Sequence, residues 1–253
     1  MECVGEIAGV LTTHQTRNEF STSACTVAVL PIGAVEQHGS HLPISTDILL
    51  AEAFGRGIAE RLDAYLLPAV AISSSIEHRK ARGTVYLRAE TLAAVVRDIA
   101  ESLRLSGFTR VVIANCHGGN WVLKPTIRAI NRERPEFRVT LVHNELPPAK
   151  MAEIFAHPVG DVHAGEFETS LMLHLHPDKV GTPSATPERP FPPQAFLDYF
   201  DASELTASGH WGWPKEATAE KGRKAFEALI ETAVQTVQQI EALGREIEER
   251  ARK

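Results

Sequence analysis

The sequence predicts a three-layer α/β/α fold with a mainly parallel central sheet, and two observations carry this prediction. Apolar runs of the length of buried strands recur along the chain, at residues 26–30, 65–72, 109–115 and 137–143. Segments whose apolar residues repeat at spacings of three and four come between these runs or after them, as in amphipathic helices. Because strands that alternate with helices favour a parallel sheet covered on both faces, we expect one such domain over residues 1–253.

Composition argues against several classes of protein. The formal net charge of -6 argues against a general nucleic-acid binder and against attraction to anionic membranes. No apolar run approaches the roughly 18 residues of a membrane span, and the first residues lack the basic start of a signal peptide. The 3 cysteines have no paired spacing, so neither a disulfide framework nor a cysteine-based zinc site is indicated. We therefore expect a cytoplasmic protein.

The first half of the chain opens with an arm up to about residue 23, which we expect to pack on the core or on a neighbouring subunit. Residues 47–62 follow the first strand and are predicted as a helix, because their apolar residues form one stripe. Pro68 weakens the prediction of the second strand, since proline has no N–H to donate. A helix is then predicted over about 88–106, with Gly107 as its stop signal.

The second half begins with the third strand, the most clearly buried run of the chain. Pro125 lies in the first turn of the helix predicted after it, where proline is tolerated. A loop predicted over about 144–161 follows the fourth strand, and its length suggests a lid or substrate flap. The remaining helices are predicted over about 121–132, 163–175 and 216–250.

The first candidate metal ligands follow the first strand directly. Glu36 and His38 are two residues apart, so an extended chain would point both side chains to the same face. Asp47 would stand at the positive end of a helix, which favours its ionised form. Two carboxylates and an imidazole suit Zn, Mn or Fe, although the same residues are also common in surface loops.

Further polar residues follow the second strand. Ser75, Glu77 and His78 come just after its carboxyl end, where a role in contacting substrate is expected. For Glu77 or His78 taken singly, a solvated loop position is the alternative.

A third polar group follows the third strand. His117 is the side chain there that binds metals strongly, and Gly118 and Gly119 would let the backbone approach a ligand closely. The alternative is an ordinary tight turn. Because the carboxyl ends of parallel strands meet at one edge of a sheet, these three groups should converge there. That convergence is the main argument for a functional site.

The start of the helix over 163–175 carries two glutamates. Helical spacing places Glu168 on one stripe with Leu171 and Met172, facing inward, and Glu166 on the more polar side. A carboxylate on an apolar stripe either binds a cation or has an internal partner, and both remain open for Glu168. Trp211 and Trp213 lie in a later loop and could line a pocket or a subunit interface.

Three motifs together resemble the creatininase (creatinine amidohydrolase) family. They are Pro31-Ile-Gly-Ala-Val-Glu-Gln-His-Gly-Ser-His-Leu-Pro43 with Asp47, Asn115-Cys-His-Gly-Gly-Asn120, and His163-Ala-Gly-Glu-Phe-Glu-Thr-Ser170. The resemblance implies a cytoplasmic, often hexameric amidohydrolase with two divalent metal ions, for which we expect Zn, with Mn or Fe as alternatives. It further implies the following roles: Glu36 and His117 bind one metal, His38 binds the other, Asp47 bridges both, and His163 is the catalytic histidine.

Two departures from creatininase itself affect these expectations. Creatininase has Tyr and then a ligand Glu after the third-strand histidine, where this chain has Gly118 and Gly119. We expect Glu168 to complete the second metal site, with Glu166 as the alternative. Creatininase also has a Trp-rich flap and an acid before its catalytic histidine, where this chain has Val162. Creatinine is therefore not the expected substrate, and the His-Gly-Gly-Asn version is more similar to family members that cleave other amides.

The expected function is hydrolysis of a non-creatinine C–N amide bond by a hydroxide held between two metals. His163 would act as general acid, and backbone N–H groups near Gly118 and Gly119 would stabilise the oxyanion. A mycofactocin-precursor-type peptidase and a formamide deformylase are the alternatives within the family. A non-catalytic oligomer that binds a metal or small molecule is the alternative of another class. We expect a small-molecule or short-peptide amide as substrate, a homo-oligomer, and neither nucleic acid nor membrane as partner.

Overall fold

The sheet of the computed structural model, which describes residues 10–183 and 191–252, is parallel and four-stranded in that part of the chain. Its strands are β1 (Val27–Ile32), β2 (Tyr65–Leu66), β3 (Arg110–Asn115) and β4 (Arg138–His143), in the order β2-β1-β3-β4. The α/β class and the parallel sheet predicted from the sequence are confirmed. The single domain over 1–253 stays a prediction.

Helices cover both faces of the sheet. One face packs against α2, α6 and α8, with Phe54, Leu171 and Leu229 buried between the layers. The other face packs against α3 and α4 through Leu92 and Ile127. The helices of the described residues are α1 (Arg17–Thr22), α2 (Thr46–Leu62), α3 (Ala89–Leu105), α4 (Leu123–Glu133), α5 (Pro148–Ile154), α6 (Glu166–Leu175), α7 (Ala202–Leu205) and α8 (Ala219–Ala251). Within the described part of the chain, none of them has an apolar stretch of membrane-spanning length.

Several element boundaries differ from the prediction. The second strand is only two residues long, because Pro68 interrupts the ladder before Val70 pairs again with Ile32. The predicted loop over 144–161 contains α5, which begins at a proline. The helix expected from 163 begins at Glu166 instead, after Gly165 as N-cap.

The ends of the central strands are level, and this brings the site residues together. Ile32 of β1 lies opposite Asn115 of β3, which lies opposite His143 of β4. The chain leaving β1 also runs directly under the start of α2. A Cβ at Gly33 would be 2.6 Å from the backbone oxygen of Asp47, so only glycine fits this close approach. As a result, the Asp47 side chain lies beside the residues that follow β1.

Candidate metal centre

The five predicted metal ligands converge at the carboxyl edge of the sheet. Glu36 and His38 follow β1, Asp47 is in the first turn of α2, His117 follows β3 and Glu168 is in the first turn of α6. All but Glu168 are buried. Such a concentration of buried acids and imidazoles requires either mutual pairing or bound cations.

Asp47 lies between the two histidines. Its Oδ1 is 3.2 Å from His38 Nε2, and its Oδ2 is 3.1 Å from His117 Nδ1. Within the described part of the chain, neither His38 Nε2 nor Asp47 Oδ2 makes a hydrogen bond of acceptable geometry, although both are buried. Buried polar atoms without hydrogen bonds are rare, and here both belong to side chains that bind metals well.

Ligand atoms in this region form overlapping groups small enough to surround an ion. In the described part of the chain the three groups are His38, Asp47 and Glu168; Glu36, Glu77 and His117; and Glu36, His38 and His163, which shares a residue with each of the others. The atoms of each group lie within 4.8 Å of one another. Nitrogen and carboxylate oxygen are the donors that zinc and its neighbours bind, so the residues present fit two divalent ions.

The two glutamates of α6 have different surroundings. Glu168 Oε2 accepts a hydrogen bond from the Ala164 N–H at 2.6 Å and lies 3.7 Å from His38 Nε2. Its side chain is 15% exposed, at the edge of the site. Glu166 was expected on the polar side of the helix, and this was wrong: it is completely buried and pairs with Lys221. The backbone N–H groups of Ala156 and His157 also donate to it, so its charge is satisfied away from the site.

Electrostatics also indicate a shortage of positive charge. Burial raises the pKa of Glu36 to about 8 and that of Glu168 to about 7, since each lies near other acids in a dry environment. Burial disfavours charge on His38, but Asp47 outweighs this and raises the His38 pKa to about 10. Burial also opposes the ionisation of Asp47, yet His38 and His117 lower its pKa. A pair of cations would favour the ionised form of every acid in the group.

His163 lies over this group with a fixed orientation. Its Nε2–H donates to the Gln37 carbonyl at 2.7 Å, which leaves Nδ1 facing Glu36 Oε1 at 3.5 Å. The ring centroid is 4.3 Å from that of His38 and 4.5 Å from that of His78. Burial, followed by the charges of these two histidines, holds the pKa of His163 well below its usual range.

Trp211 and Trp213 are not among the described residues that line the cleft, and their backbones bond to the segment that contains His163. The backbones of His163 and Trp211 pair through hydrogen bonds in both directions, at 3.1 and 2.7 Å. Asp161 accepts hydrogen bonds from the N–H groups of Trp213 and Glu166, at 3.1 and 2.8 Å. These contacts join the loop of Trp211 and Trp213, the segment of His163 and the start of α6.

Three predicted substrate contacts lie in different positions relative to the cleft. Glu77 and His78 line it, on a 3₁₀ turn formed by Ile76–His78. Ser75 is fully buried, and its Oγ donates to Glu36 Oε2 at 2.7 Å, so it orients a candidate ligand. Its contact with substrate stays a prediction.

The two glycines after His117 also line the cleft. Hydrogen bonds of Asn115 and Asn120, which the sequence did not predict, hold the turn that contains them. Asn115 Nδ2 donates to the His117 carbonyl at 2.8 Å. Asn120 Nδ2 donates to Asn115 Oδ1 at 2.9 Å, and Asn120 Oδ1 accepts from the Ser74 N–H at 3.1 Å. Both asparagines flank the His-Gly-Gly motif in the sequence, and this position is the sequence feature that could have predicted their role in holding the turn.

The cleft over the centre has two lobes. The outer lobe has a volume of about 780 Å³ and is lined by Ile76, Trp121 and Leu197 among others. The inner lobe, of about 300 Å³, is lined on its apolar side by Leu146, Met151 and Phe167. Both lobes share five lining residues, namely Gly118, Val162, His163, Glu168 and Gln194. Glu168 and His163 therefore lie where the two lobes meet, whereas Glu36 and His117 line the outer lobe alone.

Comparison with known proteins gives consistent results. The family model described as creatininase, creatinine amidohydrolase, matches residues 11–237. A mycofactocin precursor peptide peptidase of Mycobacterium tuberculosis is 32% identical over 222 residues, which cover 83% of each chain. Creatinine amidohydrolase of Pseudomonas putida is 30% identical, covering 88% of this chain and 92% of the relative. A solved structure of a creatininase variant in its Zn–Zn form superposes with a TM-score of 0.74 at 27% identity, covering 92% of this chain and 98% of that one.

Proposed function

The chain belongs to the creatininase family of metal-dependent amidohydrolases, and on this premise we propose that it cleaves a peptide-like amide with two divalent metal ions. The observation that carries the proposal is the convergence of buried ligand groups, joined by Asp47, beside a cleft with two lobes. His163 and Glu168 lie where the two lobes meet.

Two ions, with zinc as the first candidate, would be held by the predicted ligands. Glu36 and His117 would hold one ion, His38 and Glu168 the other, and Asp47 would contact both. The buried atoms of His38 and Asp47 that make no hydrogen bond of acceptable geometry support this assignment. When bound, such a pair activates a water molecule and polarises the amide carbonyl.

His163 would move the proton at its Nδ1 atom. The Gln37 carbonyl holds the proton of Nε2, so Nδ1 is the ring atom available to the reacting groups. A depressed pKa keeps the ring neutral at the start, ready to accept a proton from the attacking water. The imidazolium would then return that proton to the leaving nitrogen and act as the general acid.

The cleft supports a substrate with a substituent on each side of the scissile bond. A formamide has only a hydrogen on its acyl side and would leave one lobe empty. A peptide-like amide can fill both lobes, and burial of apolar groups against Trp121 or Met151 adds binding energy. The name of the mycobacterial relative, a peptide peptidase, agrees with this preference.

Charge in the cleft supports a substrate without a phosphate. Neither lobe is lined by Lys or Arg among the described residues. Arg79 and Lys80 follow His78 in the chain but pair with Asp201, at 3.0 and 2.8 Å. A phosphate would therefore find no arginine or lysine partner among the described lining residues. A formamide that carries a phosphate, as in the name of a 27% identical 5'-monophosphate deformylase of Methanococcus maripaludis, is thus the weaker candidate.

The test of catalysis is His163→Ala in the metal-loaded protein. We expect turnover of a peptide amide to fall by about 100-fold or more, while elemental analysis still finds two metals. His174→Ala is the control, because His174 lies near the end of α6, outside the cleft-lining residues. Unchanged turnover in His163→Ala with full metal content would refute the catalytic role and favour a non-catalytic metal-binding module.

The test of the substrate class compares acyl and formyl derivatives of one amine. We expect kcat/KM for the phenylacetyl amide to exceed that for the formamide by about tenfold or more, because the acyl group fills the second lobe. Trp121→Ala should raise KM for aromatic amides by about tenfold and leave metal content unchanged. A preference for the formamide would sustain the deformylase alternative instead.

A further inference from the structure

The structure leaves no room for a side chain at residue 119. A Cβ at Gly119 would overlap both Glu77 Oε1 and His117 Nε2. A Cβ at the neighbouring Gly118 would meet nothing within 4 Å. Neither glycine has the positive φ that other residues avoid, so backbone conformation does not explain the difference. The volume beside His117 is occupied by the Glu77 carboxylate.

Glu77 reaches that volume from a separate segment. Its 3₁₀ turn follows β2, and its side chain is 12% exposed at the floor of the outer lobe. Its Oε1 lies 3.5 Å from His117 Nε2, and Glu36 Oε2 lies 3.4 Å from the same nitrogen. Two ligands about 2.1 Å from a tetrahedral zinc ion are separated by about 3.4 Å, so both spacings fit a shared ion.

The Glu77 carboxylate is one of three polar groups around His117 Nε2. Glu36 is the second, and Ser75 Oγ is the third, at 3.2 Å. The carboxylate therefore faces the candidate centre, and its position in the cleft wall leaves it accessible to an ion.

We propose that Glu77 is a ligand of the ion on the Glu36 and His117 side, and that the missing side chain at Gly119 is what admits it. This inference rests on the proposed two-metal centre. Glu77 would be a second carboxylate ligand, beside Glu36, of the ion on the His117 side. Glu168 would be the corresponding ligand on the His38 side. The four carboxylates of Glu36, Asp47, Glu77 and Glu168 then balance the charge of two divalent ions, which a buried site favours.

The experiment measures metal affinity in variants of the full chain by competition with a chromophoric chelator. Glu77→Gln keeps the side-chain shape and removes the charge, and we expect one of two zinc ions to bind at least about 100-fold more weakly. Gly119→Ala should weaken binding of the same ion, because the added methyl would overlap both Glu77 and His117. Gly118→Ala is the matched control and should bind both ions like the parent.

The double variant and a cobalt spectrum separate ligation from indirect effects. Gly119→Ala combined with Glu77→Gln should lose less metal affinity than the two single losses combined, since both changes disturb the same Glu77 contact. The visible absorption of the Co²⁺-loaded protein should change in Glu77→Gln, because a ligand is lost. Parental affinity and an unchanged spectrum in Glu77→Gln would overturn the inference, even if Gly119→Ala failed to fold. A parent that binds no metal would instead refute the proposed function.

Discussion

The carboxylates of Glu166 and Glu168 lie two residues apart at the start of α6 and have separate partners. Lys221 and two backbone N–H groups satisfy Glu166, whereas Glu168 points to His38. The difference arises because Glu166 faces α8, where Lys221 follows the N-cap Thr218 by one turn. Helical spacing correctly predicts that the two side chains face different sides of α6. It does not predict that Lys221 of the neighbouring α8 pairs with Glu166.

A pair of glutamine variants tests this division. Glu168→Gln should lose one metal ion while keeping the stability of the metal-free protein, because its exposed edge tolerates a neutral amide. Glu166→Gln should keep both ions and lose about 3 kcal/mol of unfolding free energy, because Lys221 would stay partly buried without its counter-charge. Elemental analysis and urea unfolding give the two readouts. Loss of metal from Glu166→Gln with an unaltered unfolding curve would contradict the assignment.

At the residue scale, motifs close to strand ends were predictable and supporting contacts were not. Glu36, His38 and His117 could be placed because each follows a buried run within a few residues. The contact of Ser75 with Glu36 could not be predicted, because the burial of Ser75 depends on how the chain turns after β2. The same holds for Gln37, whose carbonyl fixes the tautomer of a histidine 126 residues away. Sequence spacing carries no information on such contacts.

Helix α8 and helix α6 pack closely through a glycine. A Cβ at Gly222 would overlap the backbone oxygen of Ser170 and approach His174. Backbone cannot move aside as a flexible side chain can, so this glycine sets the distance between the helices. Glu168 lies on α6, and therefore the same packing sets its distance from His38.

Gly222→Ala should consequently destabilise the protein by about 1–3 kcal/mol, in spite of alanine's higher helix propensity. Gly244→Ala in the same helix is the control, because the nearest atom to its Cβ is 4.0 Å away, on the Arg138 side chain. That control should gain about 0.5–1 kcal/mol. Urea unfolding measures both values, and equal changes in the two variants would show that the contact at 222 is not limiting.

Elements with a strong period were predictable, whereas short ones were not. The apolar stripes of α2, α3 and α8 gave boundaries close to those observed. Helix α5 has only seven residues, none of them buried, and the sequence predicts a loop at this position. Its stability comes from tertiary contacts at its end, where Phe155 is buried and Glu166 binds the following N–H groups. Short elements of this kind depend on packing that local sequence does not encode.

On the scale of the whole molecule, the candidate centre joins five separate segments. Its residues come from the ends of β1 and β3, the turn after β2, and the first turns of α2 and α6. The rule that ligands bind beyond the carboxyl ends of parallel strands predicted this meeting. The homo-oligomer, hexameric by resemblance, stays a prediction.

Removal of metal should therefore destabilise the entire fold. Bound ions contribute RT ln(1 + [L]/Kd), which is about 2.7 kcal/mol per site at 100 times Kd, and their loss leaves several buried acids without counter-charge. For two sites in a chain of this length we expect a chelator to lower Tm by about 10–20 °C, and added zinc to restore it.

The matched control for chelation is His38→Ala, which removes a ligand and should shrink the shift caused by the chelator. A Tm that is the same with and without chelator in the parent would contradict a metal centre that links five segments. Chelation that melts the parent, combined with no hydrolysis of any amide by the zinc-loaded protein, would favour a purely structural metal. Hydrolysis that returns together with Tm during zinc titration would instead tie the stabilising ions to the reaction, because one set of ligands then accounts for both.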